Sequence, residues 1–188
     1  MTDIDILRQL IKESVQVPFV NDYDKSKKKI KLTEPQHSNS SVTIYEMPDN
    51  VIIIKADMFK SPDTIFAGSR GECKRADFVI IADTNTKKVI LCIEIKTAKG
   101  KEEEIIQQLN GARCFILYCR EIGRTFWKQR DFLEGYEYRF VSVTHTGIDK
   151  KKTRIDRQPG VHDRPEKMLK ISSPHHLFFN QLAGIAKK

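Results

Sequence analysis

Two apolar runs, FVIIAD at 78–83 and KVILCIEIK at 88–96, are separated only by TNTK, and this stretch limits the possible folds more than any other. Runs this apolar leave neither face to water, so they read as a hairpin inside a sheet that is covered on both sides. Three charges sit on or beside them: Asp77, Glu94 and Lys96. If Thr84 to Lys87 forms a tight turn, Asp83 faces Lys88, and carrying that pairing along the strands sets Asp77 opposite Glu94. Alternation then puts Lys96 on the same face and sends Ile93 and Ile95 to the other. Cross-strand Cβ atoms lie about 5 Å apart, so two carboxylates placed in this way can grip one divalent cation. A register slip of one residue would separate the acids. The plainer alternative is that the three charges simply end the strands.

The rest of the 188-residue chain supplies layers for such a sheet. Ile4, Leu7, Leu10, Ile11 and Val15 recur at helical spacing, which predicts an opening helix over 3–16 with Thr2 or Asp3 as its cap. The polar, lysine-rich stretch 21–41 reads as a surface loop, interrupted by a short strand near Ile30. VTIYEMPDNVIIIKA predicts a first hairpin, turning at Pro48-Asp49-Asn50. KEEEIIQQLNGAR predicts a helix with three acids in its favoured first turn. CFILYC reads as a strand covered on both faces, followed by a helix near 125–134 and a strand over 137–145. Residues 147–165 read as a long basic loop, and Ser173-Pro174 as the start of a last helix over 174–186. The expectation is one α/β domain over 1–188 with its core at about 42–145.

Composition narrows the function classes. The formal net charge of +8 suits a partner for polyphosphate. No apolar run reaches the length of a membrane span, and the first residues carry acids where a secretion signal carries bases, so a cytoplasmic protein is expected. Cys73, Cys92, Cys114 and Cys119 form no CxxC pair and read as buried, reduced thiols. His145, His162, His175 and His176 show no ligand spacing, and Trp127 reads as packing.

Asp77, a hydrophobic strand and turn, and then Glu94-Ile95-Lys96 together resemble the PD-(D/E)XK nucleases, the restriction-endonuclease-like superfamily. In that family an acid begins one strand of a central sheet, and acid-X-Lys lies on the next. The resemblance covers about residues 75–119, and the opening helix and first hairpin fit the elements that precede the motif. It implies a central mixed β-sheet flanked by helices on both faces, with an αβββαβ core. Ala76 stands where the family often has proline. Gln107 and Gln108 are followed by Gly111 and Ala112 at the spacing where exonuclease-like members carry tyrosine.

What the resemblance implies is Mg²⁺-dependent hydrolysis of phosphodiester bonds, in DNA and by an endonuclease, in restriction or another form of defence. Mn²⁺ would be able to replace Mg²⁺. Asp77, Glu94 and the Ile95 carbonyl would hold the metal, and Lys96 would orient the attacking water or stabilise developing charge. Glu13, Glu72 and Gln108 are additional candidates for the site. Lys74, Arg75, Lys150, Lys151, Lys152 and Arg154 are candidate phosphate contacts, as are Lys27 to Lys31 and Arg157. With no helicase, ATP-binding or methyltransferase motif in the chain, the expected partners are nucleic acid and either a second copy or separate subunits. Two other readings stay open: a non-catalytic nucleic-acid-binding or assembly subunit that keeps the fold, and an interaction domain whose acids pair with nearby lysines.

Overall fold

The computed structural model describes residues 1–20, 28–34, 41–84, 86–144, 154–156, 161–172, 174 and 176–184. In chain order its elements are α1 (Asp3–Leu10), β1 (Lys29–Thr33), β2 (Ser41–Tyr45), β3 (Val51–Lys55), β4 (Phe78–Asp83), β5 (Lys88–Lys96), α2 (Glu102–Phe126), β6 (Glu137–Thr144), β7 (Arg154–Asp156), β8 (Leu169–Ser172), β9 (Leu177–Phe178) and α3 (Phe179–Ala183).

The central sheet has six strands in the order β3-β4-β5-β6-β8-β7. The first three are antiparallel neighbours, β5, β6 and β8 run parallel, and β7 returns antiparallel on the far edge. β3 to β5 and β6 are nearly all buried, as strands covered on both faces must be. Alternation sorts their side chains into two cores. Val79, Ile81, Ile90, Cys92 and Phe140 pack against α1 and α2. Ile80, Leu91, Ile93, Val141 and Val143 pack against β1, β2, β9 and α3. The α/β class and mixed sheet agree with the sequence reading, but the second face is covered mainly by a three-stranded sheet, β1-β2-β9, with only the short α3 beside it.

Other expectations need correction. The chain 42–55 is not a hairpin: β2 pairs with β1 and β9, whereas β3 pairs with β4. Val42 and Ile44 meet Val51 and Ile53 in one core, so the turn at 48–50 carries the chain between layers. CFILYC lies inside α2. Its Phe115, Ile116 and Cys119 are buried while Leu117 and Tyr118 are exposed, a helical pattern hidden within a uniformly apolar run. Residues 127–135 are turns, not a helix, with Lys128 and Leu133 at positive φ and Phe132 packed against Gly123. The opening helix ends at Leu10, and residues 13–15 form a separate single turn. The last helix spans only Phe179–Ala183, because Leu177 and Phe178 pair with β2 and Gly184, at φ +64°, terminates it. Most of the basic loop lies outside the described residues, but Arg154–Asp156 within it form β7. Of the cysteines, Cys92 and Cys119 are buried, Cys73 is half-buried and Cys114 is exposed; all four are free thiols.

Two contacts mark where α2 crosses the sheet. Glu102 pairs with Lys170 on β8 and Glu104 with Lys74 just before β4, so the first-turn acids reach both sides of the strand ends. Gly111 allows the helix to touch the chain leading into β4: a Cβ there would lie 2.0 Å from the Lys74 carbonyl oxygen. Replacing glycine by alanine inside a helix ordinarily stabilises by about 1 kcal/mol. At Gly111 the clash with backbone wins, so Gly111→Ala is expected to lower stability by about 1–3 kcal/mol in chemical denaturation.

Candidate active site

The turn that fixes the hairpin is closed by Thr84. Its N–H donates to the Lys87 carbonyl at 2.9 Å, and the Lys87 N–H donates to its hydroxyl at 2.8 Å. From there the ladder runs from Asp83 opposite Lys88 to Phe78 opposite Ile93. Asp77 and Glu94 come next, on the face that carries Val79, Ile81, Ile90 and Cys92. The register read from the sequence is the one observed.

At this end of the ladder, side chains continue the hydrogen bonding. The Asp77 N–H donates to Glu94 Oε2 at 3.2 Å, and the Ile95 N–H donates to Asp77 Oδ2 at 2.8 Å. Each bond holds one oxygen of one carboxylate and leaves the other oxygen for a further partner. Lys96 Nζ lies 2.7 Å from Glu94 Oε1, with Glu94 wholly buried and Lys96 partly exposed. The Asp77 carbonyl accepts from the Ala56 N–H, tying the acid to the end of β3 as well.

Burial raises the carboxyl pKa of Asp77, against the pull of the Ile95 N–H and the Lys96 ammonium. Burial likewise raises that of Glu94, and the nearby Asp77 charge raises it further. For Lys96, burial works against the charged form, but Glu94 and Asp77 outweigh it and leave its pKa raised. Two more carboxylates act on Asp77 from outside the motif, Asp57 and Glu34. Glu34 is only 5% exposed, and its Oε2 is buried without a hydrogen-bond partner, as is Asp57 Oδ1. Both escaped the sequence reading, although the signal for Glu34 was present: in KIKLTE it continues the alternation of Ile30 and Leu32 onto a buried face.

The additional acids named from the sequence lie elsewhere. Glu13 is exposed on its own short turn after α1. Glu72 is exposed and shapes its own loop, accepting from the N–H groups of Gly68 and Arg70. Gln108 stands one turn after Glu104 and one turn before Gly111 on α2, which places it on the helix face toward the Lys74–Arg75 segment, and its Oε1 is buried without a partner. Lys74 is paired with Glu104, and the Arg75 guanidinium lies 5.0 Å from the Phe59 ring centre and donates to the Lys74 carbonyl. Arg154 lies on β7, while Lys27, Lys150, Lys151, Lys152 and Arg157 fall outside the described residues. His162 Nε2 is 2.7 Å from the Leu182 carbonyl and His176 stacks on Tyr45, both away from the motif; His145 and His175 are outside the described residues. Trp127 packs at the end of α2 and donates to Gln9 on α1.

Asp77 and Glu94 suit a hard divalent cation: both are oxygen donors, Glu94 is buried and Asp77 half-buried, and each has one oxygen not held by the backbone. Among the described residues no group of three or more His, Cys, Asp or Glu side chains lies close enough to hold a metal, so Asp57 and Glu34 act on this pair through their charge. No helix among the described residues is long and apolar enough to cross a membrane. Neither family models, nor curated proteins, nor solved structures give a match to this chain.

The raised carboxyls make a pH prediction. The folded state keeps protons that the unfolded chain releases, so stability falls as the pH rises from the ordinary carboxylate range, about 4, toward neutrality. Thermal melts of the metal-free protein are expected to show this decline, and Asp77→Asn should flatten it.

Proposed function

We propose that the chain is a metal-dependent nuclease of the restriction-endonuclease-like class. In particular, it is read as a magnesium-dependent deoxyribonuclease. The observation that carries this reading is the reciprocal bonding of Asp77 and Glu94 at the end of a buried hairpin, with Lys96 on the same face. Supporting it, α1, β3, β4, β5, α2 and β6 follow one another in the αβββαβ order implied by the resemblance, with β1 and β2 inserted between α1 and β3.

Asp77 and Glu94 would hold the metal through the oxygens not bound by backbone, and Glu94 Oε1 would have to be released by Lys96. When bound, such a metal neutralises charge on the phosphate and lowers the pKa of water. Lys96 stays protonated between the acids and is tethered beside them, so on release its ammonium is positioned to stabilise the charge that develops on the phosphate. The Ile95 N–H keeps Asp77 in its rotamer during this exchange. A cation also relieves the mutual repulsion of the acids, with Asp57 and Glu34 adding to its attraction.

One observation favours a second reading, an assembly subunit with a silent site: Lys96 already neutralises Glu94 without a metal. Cleavage separates the two. Linear and circular DNA incubated with Mg²⁺ should be cut, and chelator should abolish the cutting. Lys96→Ala should slow it by about 100-fold or more, as loss of a transition-state donor does. Equal cleavage by the variant would sink the proposed site. Mg²⁺ should also raise the melting temperature of the wild type, by more at neutral than at acid pH, and that of Asp77→Asn much less.

A further inference from the structure

Beside the acid pair, a cavity of about 670 Å³ opens where β6 and β8 end against the first turn of α2. The parallel register carries the row of Asp77 and Glu94 onward to Ser142 and then Lys170 on the same face. Adjacent strands are about 4.8 Å apart, so Ser142 lies one spacing and Lys170 two spacings beyond Glu94. Both line the cavity, together with Lys99 and Gly100 at its α2 side.

Ser142 is only 3% exposed, and its hydroxyl makes no hydrogen bond among the described residues. Ser142 lines the cavity, so its hydroxyl is available there to a ligand's acceptor oxygen. Lys170 Nζ is 2.8 Å from Glu102, in a partly exposed ion pair of the kind that contributes little and exchanges readily. The N-cap residue of α2, Lys101, makes no side-chain cap, which leaves the first N–H groups of a 25-residue helix open toward this end. Ile105 and Met168 add apolar walls, and the volume exceeds what a bare phosphate needs.

We propose that this cavity is a nucleotide subsite, in which Ser142 and Lys170 grip a phosphate next to the scissile one and Glu102 takes that phosphate's place on Lys170 when substrate is absent. The subsite rests on the nuclease reading and deepens it, because it places a second phosphate of the cleaved strand along the strand ends from the metal-binding acids. Glu102 is then a competitor whose removal strengthens binding, the opposite of what a purely structural ion pair would do. The phosphate held here is either an internal phosphodiester or the phosphate of a strand end.

The test measures binding with no cleavage possible. Fluorescence anisotropy of a labelled single-stranded octadeoxynucleotide is followed in chelator, with and without a 5′-phosphate, over a series of salt concentrations. Lys170→Met is expected to weaken binding about 10-fold and to lower the salt slope by about one. Ser142→Ala should weaken it about 10-fold or more, the loss of a hydrogen bond to a charged group. Glu102→Gln should tighten it. Thermal melts accompany each variant, and Glu102→Gln guards against loss through misfolding because its effect is a gain. Equal affinity for both oligonucleotides assigns the subsite to an internal phosphodiester; weaker binding without the 5′-phosphate assigns it to a strand end. Unchanged affinity and salt slope in both Lys170→Met and Glu102→Gln would overturn the proposal, even if DNA is cleaved. Absence of cleavage with the binding changes intact would overturn the nuclease reading and leave the subsite standing.

Discussion

Thr84 closes on Lys87, and the register of β4 against β5 follows from that closure all the way to Asp77 and Glu94. Everything at the candidate site depends on this register. Were it shifted by one residue, one acid would enter the apolar core on the opposite face, away from the N–H groups and the lysine that receive it here. The crossed bonds from Asp77 N–H to Glu94 and from Ile95 N–H to Asp77 end the ladder with side chains in place of further backbone pairing. They also fix which oxygen of each acid is left over.

Holding two carboxylates together in a buried place is unfavourable for the isolated protein, and the raised carboxyls record that cost. Lys96 offsets part of it. Asp57 and Glu34 add to it, so the charges gathered here work against the stability of the isolated protein. The first turn of α2 is arranged in the same sense. Glu102 and Glu104 pair with lysines on either side of the strand ends, while the terminal N–H groups of the helix carry no side-chain cap.

How much of this was legible beforehand varied with the range of the interaction. The hairpin, its register and its three charges follow from alternation and turn length, which are local. The strand over 137–145 was legible for the same reason and is observed as Glu137–Thr144. CFILYC is helix and not the expected strand because a run of apolar residues carries no period of its own; what decides is that only one side of it meets the core. The pairing of β2 and β3 was misread because turn chemistry at 48–50 specifies a change of direction, not the partner that the next strand will take.

Local pattern alone dictates a sheet buried on both faces and the placement of Asp77, Glu94 and Lys96 on one of them, because side-chain alternation and a short closed turn leave little else possible. Which further groups surround those three follows from long-range packing. Glu34 arrives from β1 in the other layer, Asp57 from the end of β3, and Ser142 and Lys170 from strands that follow α2. These neighbours come from sheet order and layer packing, interactions between segments far apart in the chain that no local pattern encodes.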